Sequence, residues 1–352
     1  MTQKFWLREE TKPNEFRRAL SASSCQKLLA AGHQVVVEDW KDSIIDLEEY
    51  KKVGCEIKPA GSWVEAAADW IIVGLKALPK DIPAFKHRHI FFAHVYKEQD
   101  GWQDWLSKFA QGGGRILDLE YMLDTNKRRV CAFGYWAGYV GAALGAFFTY
   151  ADKEGHKNLK EHKYFKDKTE LLNFVRQVVN EKHGQAMIIG AKGRSGHGAY
   201  ACLKELKWNI TAWDKEETSV GGPFVEILKH DLFVNCVLAT QKMPPFLNHD
   251  ILKNKDFTLK MISDVSCDPD SQMNMVPLYD AATTLEEPLY QVKDVESPLF
   301  ITAIDNLPSL LPKESSCDFS DQLEKYLIDY NENEGPLKVS LDYFNKAMSK
   351  IS

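Results

Sequence analysis

Apolar and polar positions along the chain follow two rhythms. In the first third, runs of strand length ("HQVVVEDW", "DWIIVGL", "HIFFAHV", "RILDLEYM") alternate with stretches whose apolar residues recur at helical spacing ("NEFRRALSASSCQKLLAAG", "SIIDLEEYKKVG", "GWQDWLSKFAQ"). Such alternation predicts βαβ units and a mostly parallel sheet. The segment 134–151, "GYWAGYVGAALGAFFTYA", carries no charge and reaches the lower edge of membrane-span length. Flanked by α/β sequence on both sides, it reads as a helix buried inside the protein, with Gly138, Gly141, Ala142 and Gly145 as a small face for close packing. A second set of short apolar runs follows the helix "TELLNFVRQVVNEKHG": "AMIIGA", "NITAWD", "DLFVNCVLA", "TLKMISDVS" and "PLFITAIDN". Beyond Pro312 the pattern is helical again, and these last helices need an apolar surface to cover.

At 352 residues the chain exceeds what one core usually holds, so two domains are expected. The reading is an α/β protein with two mostly parallel sheets: a discontinuous first domain, 1–132 plus 313–352, and a second domain, 133–312. A net charge of −6 and the lack of a Lys/Arg run argue against a nucleic-acid binder. Seven cysteines are scattered singly without metal-ligand spacing, and the first residues lack a signal-peptide core. The expectation is a cytoplasmic protein, a monomer with no membrane or nucleic-acid partner and no metal.

In "AMIIGAKGRSGHGAY", Gly190, Gly193, Gly196 and Gly198 stand between an apolar strand and a helical pattern. That is the setting of a dinucleotide-binding turn. The spacing is GxxGxxG rather than GxGxxG, yet the chemistry needs only a tight turn, a close backbone approach and a helix N-terminus facing the pyrophosphate. Asp214 ends the next strand, 21 residues past Gly193, where a carboxylate would hold an adenosine ribose and repel a 2′-phosphate. NAD is therefore expected rather than NADP, with Lys192, Arg194 and Lys215 as nearby cations and Ser195 in the turn. The first domain places Lys76, His94, Lys97 and Glu120 just past apolar strands, where ligands bind in open α/β sheets. A lysine there is a candidate base and a histidine a candidate proton carrier.

The stretches "LREETKPNEFRRAL", "IIVGLKALP", "FAHVYKEQDGWQ", "LDLEYM", "RRVCAFGYWAGYVGAALG", "GAKGRSGHGA" and "AIDNLPSLLPKESS" resemble, nearly end to end, the NAD-dependent, lysine-forming saccharopine dehydrogenases of fungal type. More distantly the pattern is similar to alanine dehydrogenase and transhydrogenase. The resemblance implies two Rossmann-like domains with an active-site cleft between them. It also implies conversion of saccharopine, NAD+ and water to L-lysine, 2-oxoglutarate and NADH, or the reverse. Position by position, Lys76 matches the base that takes the amine proton, His94 the group that activates water on the imine, and Glu120 a carboxylate that tunes them. Arg17, Lys97 and Arg129 match cations near the substrate carboxylates, and Asp305 an acid beside the nicotinamide end of the cofactor.

Two positions depart from the family pattern. Ala77 follows Lys76 where the family has an acid. Ser195 stands where the fungal enzymes have a cysteine that pairs with the position of Cys236, so that disulfide is not expected here. Another amino-acid or opine dehydrogenase of the same fold, or an inactive nucleotide-binding regulatory module, stay open as alternatives at this point.

Overall fold

The computed structural model describes residues 2–96, 100–151, 159, 161–239, 241–253 and 257–351. The chain forms two compact units, Met1–Ala132 with Lys313–Ser352, and Phe133–Pro312.

In the first unit, strands β1 (Lys4–Leu7), β2 (Gln34–Asp39), β3 (Glu56–Pro59), β4 (Ile71–Val73), β5 (Arg88–Phe91) and β6 (Arg115–Asp118) form one sheet in the order β3-β2-β1-β4-β5-β6. Every pair is parallel. The central strands are buried on both faces, which is why Val35–Val37, Ile71–Val73 and Ile90–Phe91 read as continuous apolar runs. Neither β1 nor β3 is signalled by periodicity. β1 is four residues long and opens with a lysine, and β3 lies at the sheet edge with polar residues on it.

The first helix, Ala22–Ala30, starts later than its apolar pattern suggests. Ser21 caps it by accepting the Ser24 N–H, while Arg17 and Arg18 just before it are held by side-chain bonds that a helix would break. Helices Pro312–Ile328 and Gly335–Met348 return to this unit through buried serines. Ser316 Oγ and Ser320 Oγ accept the backbone N–H groups of Arg18 and Ser21, and Ser340 Oγ donates to the Asp118 carbonyl.

The second unit holds β7 (Gln185–Ile189), β8 (Asn209–Trp213), β9 (Leu232–Asn235), β10 (Met261–Asp264), β11 (Tyr290–Gln291) and β12 (Phe300–Thr302), in the order β11-β12-β10-β9-β7-β8. All pairs are parallel except β11 with β12. Along β7 the strand period divides two cores: Ala186 and Ile188 face one, Met187 and Ile189 the other. The uncharged segment forms helix Gly134–Tyr150, buried in the first of these cores. Among the described residues no helix is long and apolar enough to cross a membrane.

This helix is close-packed through its glycines. A Cβ on Gly138 would overlap the backbone of Ser195, and one on Gly198 the carbonyl of Tyr135. Gly141 and Gly145 rest against the side chains of Val265 and Leu232. Helices Gly134–Tyr150 and Arg194–Glu205 thus meet backbone to backbone, which fixes the start of the second helix, where the glycine turn ends.

Candidate active site

In each sheet one strand has neighbours reached by crossovers in opposite directions: β1 between β2 and β4, and β7 between β8 and β9. The strand ends at such switch points are where open parallel sheets bind ligands. In the first unit, β1 is followed by Arg8, Glu9 and Glu10, β4 by Gly74, Leu75 and Lys76, β5 by Phe92, Ala93 and His94, and β6 by Leu119 and Glu120. Lys76, His94 and Glu120 therefore project from the same end of three adjacent strands.

Lys76 keeps 22% of its side chain exposed, and its Nζ lies 3.8 Å from Glu15 Oε2. Glu15 is almost fully buried and is held by Arg17, whose Nε and Nη2 donate at 2.7 and 2.6 Å to its two oxygens. Burial works to raise the Glu15 pKa, but the hydrogen bonds and charge of Arg17, with the charge of Lys76, outweigh it and hold the carboxyl below its usual range. Arg17 is itself only 1% exposed, and this forked bond orients Glu15 toward the lysine. Glu15 thus supplies a carboxylate next to the lysine from a loop, although the residue directly after the lysine is Ala77.

His94 is exposed and adopts φ 54°, the left-handed region that a non-glycine residue rarely occupies. Its imidazole stacks on Phe92 with ring centroids 6.2 Å apart. Behind it is Asp118, a fully buried residue whose Oδ1 accepts the Glu120 N–H at 2.9 Å and whose carboxyl also faces the amides of Ala93 and His94. Burial dominates and pushes the Asp118 pKa up to about 7. One carboxyl thereby lies between the loop carrying His94 and the turn carrying Glu120, and its hydrogen bond is to the turn. Glu120 is half-buried and accepts from Arg129 Nη1 at 2.8 Å. Lys97, the remaining expected substrate cation, lies outside the described residues.

Sequence reasoning missed Arg8, Glu10, Glu15 and Asp118. Arg8 and Glu10 could have been found only by recognising "KFWL" as a strand, since that turns the "REE" after it into a strand-end cluster.

In the second unit, Gly190 follows β7 with φ 89°, a conformation that favours glycine. The Gly190 and Ala191 amides donate to the Trp213 carbonyl, and the Lys192 amide to Asp214 Oδ2. The turn is thereby fastened to the end of β8. Gly193 is the N-cap of helix Arg194–Glu205, and a Cβ on Gly196 would overlap the Gly190 carbonyl. Only glycine lets the turn close this tightly, leaving the first-turn amides of the helix, including those of Ser195 and Gly196, directed out of its N-terminus. Asp214 caps its own short helix through Lys215 N–H at 2.8 Å. Burial raises its pKa, and the Lys215 and Lys192 amides outweigh that and hold it low. A carboxylate oxygen has two lone pairs, so a ribose hydroxyl still finds an acceptor at the strand end. This cradle, narrowed by glycine and carrying an acid at its far side, fits a dinucleotide without a 2′-phosphate.

Asp305 is exposed past the end of β12. Near it Cys267, φ 46°, donates its thiol to the Ala303 carbonyl. Burial, with the charges of Asp264 and then Asp305, pushes that thiol up to about 12. None of the seven cysteines, Cys236 among them, is in a disulfide, and the residue at position 195 is a serine.

Comparison with known proteins adds to this geometry. Residues 6–140 match the family model described as Alanine dehydrogenase/PNT, N-terminal domain. A Yarrowia lipolytica protein named saccharopine dehydrogenase [NAD(+), L-lysine-forming] is 42% identical over 333 residues, covering 91% of this chain and 90% of its own. A Neurospora crassa protein of the same name is 42% identical over 339 residues, 93% of this chain and 91% of its own. Among solved structures, transhydrogenase from Sinorhizobium meliloti superposes with a TM-score of 0.65 at 18% identity over 96% of this chain and 97% of its own, a likeness in fold.

Proposed function

The chain belongs to the NAD+-dependent, L-lysine-forming saccharopine dehydrogenases, and from that premise we propose that its residues carry out the reversible conversion of saccharopine to L-lysine and 2-oxoglutarate as follows. Gly190, Gly193, Arg194, Ser195 and Gly196 would hold the pyrophosphate of NAD+ at the helix N-terminus, Asp214 would take the adenosine ribose, and Asp305 would serve the nicotinamide end. NAD+, when bound, would supply the hydride acceptor for the substrate carbon. Lys76, as the neutral amine, takes the proton from the secondary amine nitrogen of saccharopine as that hydride leaves. His94 then takes a proton from water as its oxygen adds to the resulting imine carbon. Proton return to the departing amine nitrogen completes hydrolysis to L-lysine and 2-oxoglutarate. Glu120 and Glu15 set the field in which these two groups titrate, and Arg129 and Lys97 meet substrate carboxylates. The first unit is the substrate domain and the second the NAD domain.

The observation that carries this reading is the placement of Lys76, His94 and Glu120 at the ends of adjacent strands, with Glu15 at 3.8 Å from the lysine. In the same reading the enzyme works in the cytoplasm, where seven cysteines outside any disulfide suit a reducing setting. It works as a monomer, its terminal helices completing the first unit from within the chain. The test is NADH oxidation with 2-oxoglutarate, offering L-lysine, L-ornithine and ammonia separately. Turnover with L-lysine alone supports the reading; turnover with ammonia, or with pyruvate and ammonia, contradicts it.

A further inference from the structure

We infer that the buried Arg8–Glu10 ion pair is a positioning device for Lys76, clamping the backbone on both sides of the lysine so that its ammonium is presented beside Glu15. The inference rests on the role of Lys76 as the base. Glu10 Oε1 accepts the Leu75 N–H at 2.6 Å and Oε2 the Lys76 N–H at 2.9 Å. From the other side Arg8 Nη2 donates to the Lys76 carbonyl, while its Nη1 donates to the Glu9 carbonyl at 2.6 Å and to Glu10 Oε2 at 3.3 Å. The pair thus holds both polar backbone groups of the lysine.

Arg8 is 1% and Glu10 5% exposed. Stability alone is a weak reason for such a pair, because desolvating two charges offsets most of their attraction. What the pair achieves and an apolar pair could not is to satisfy the amides and carbonyl of one dipeptide just where the β4 ladder ends. Burial raises the Glu10 pKa, with Arg8 and the two amides acting against it.

The residue before the clamp completes the arrangement. A Cβ on Gly74 would lie 2.6 Å from Arg8 Cζ and Nε. In the triplet Gly74-Leu75-Lys76, glycine therefore admits the guanidinium, the fully buried Leu75 anchors the segment, and lysine reaches out. A base must sit within hydrogen-bond reach of its proton, and a displacement of about 1 Å costs on the order of a hundredfold in rate.

The test compares Glu10→Gln, Arg8→Ala, Gly74→Ala and Lys76→Met in the full-length enzyme by NADH affinity, kcat, KM and pH profile. For the first three, NADH affinity should stay within about twofold while kcat falls roughly 10- to 100-fold. The pH limb that disappears in Lys76→Met should move to lower pH, as the ammonium leaves Glu15. Guanidinium ion should restore part of kcat in Arg8→Ala and none in Lys76→Met. Wild-type kcat with an unmoved profile in Gly74→Ala or Glu10→Gln, beside an inactive Lys76→Met, overturns the positioning role and leaves the base intact. A fully active Lys76→Met overturns the base, and the clamp with it. Should Glu10→Gln fail to fold, Gly74→Ala still decides between the two results, because it keeps both charges.

Discussion

Glu15 Oε2 stands 3.8 Å from Lys76 Nζ, and the same carboxylate is locked by the guanidinium of Arg17. The lysine is thus coupled to a negative charge that comes from a distant loop and cannot rotate away. Replacing that charge in Glu15→Gln withdraws the attraction favouring the ammonium form. The pH limb due to Lys76 should then move to lower pH. Arg17 keeps one neutral acceptor, so stability should fall by about 2 kcal/mol. A pH–rate profile with a denaturant titration checks both parts.

The backbone contact between helices Gly134–Tyr150 and Arg194–Glu205 supports the cofactor turn from behind. Gly138→Ala and Gly198→Ala should each destabilise the protein by about 1–3 kcal/mol through overpacking. They should also raise the dissociation constant for NADH, since the displaced helix carries the phosphate-facing amides. Calorimetric unfolding and NADH fluorescence titration read the two effects, and an unchanged affinity would show that the turn does not depend on this contact.

Asp214 has two duties, fastening the glycine turn through the Lys192 amide and offering an acceptor at the end of β8. In Asp214→Ser, affinity for NAD+ should fall at least tenfold. The ratio of kcat/KM for NADP+ to that for NAD+ should rise, because the charge that repels a 2′-phosphate is gone and Lys192 and Lys215 remain. Steady-state kinetics with both cofactors tests this.

His87 and His89 are buried next to one another, with His89 enclosed by the rings of Trp63, Phe85, Phe91 and Phe109. Burial holds the pKa of His87 below, and of His89 well below, their ordinary value of 6.5. Below that pH the unfolded chain takes up protons that the folded one refuses, so stability should be flat above pH 6.5 on this account and decline as pH falls beneath it. His89→Phe should flatten the decline. Urea titrations between about pH 5 and 8 measure the slope, and an unchanged slope in the variant would remove His89 from the explanation.

The strand-end positions of Lys76, His94 and Glu120 were legible because each follows an apolar run of strand length, and the glycine turn because it stands between a strand and a helix. The buried nature of segment 134–151 was legible from its lack of charge between stretches of α/β sequence, and its close-packed face from its glycine spacing. Arg8, Glu10, Glu15 and Asp118 were not. Their roles arise from contacts across the sheet, such as Glu10 with Leu75 and Lys76, 65 and 66 residues away, which no local pattern encodes. Arg17 illustrates the same limit: its type suits a substrate carboxylate, and only the fold shows two of its N–H groups directed at Glu15.

The most direct measurement is single-turnover NADH formation from saccharopine and NAD+ by the wild type, Lys76→Met and His94→Gln, with NADH affinity determined for each. Wild-type affinity with rates reduced by about 10²- to 10⁴-fold in both variants is the expected result. Either variant forming NADH and lysine at the wild-type rate would contradict the assignment of acid–base chemistry to these two strand ends.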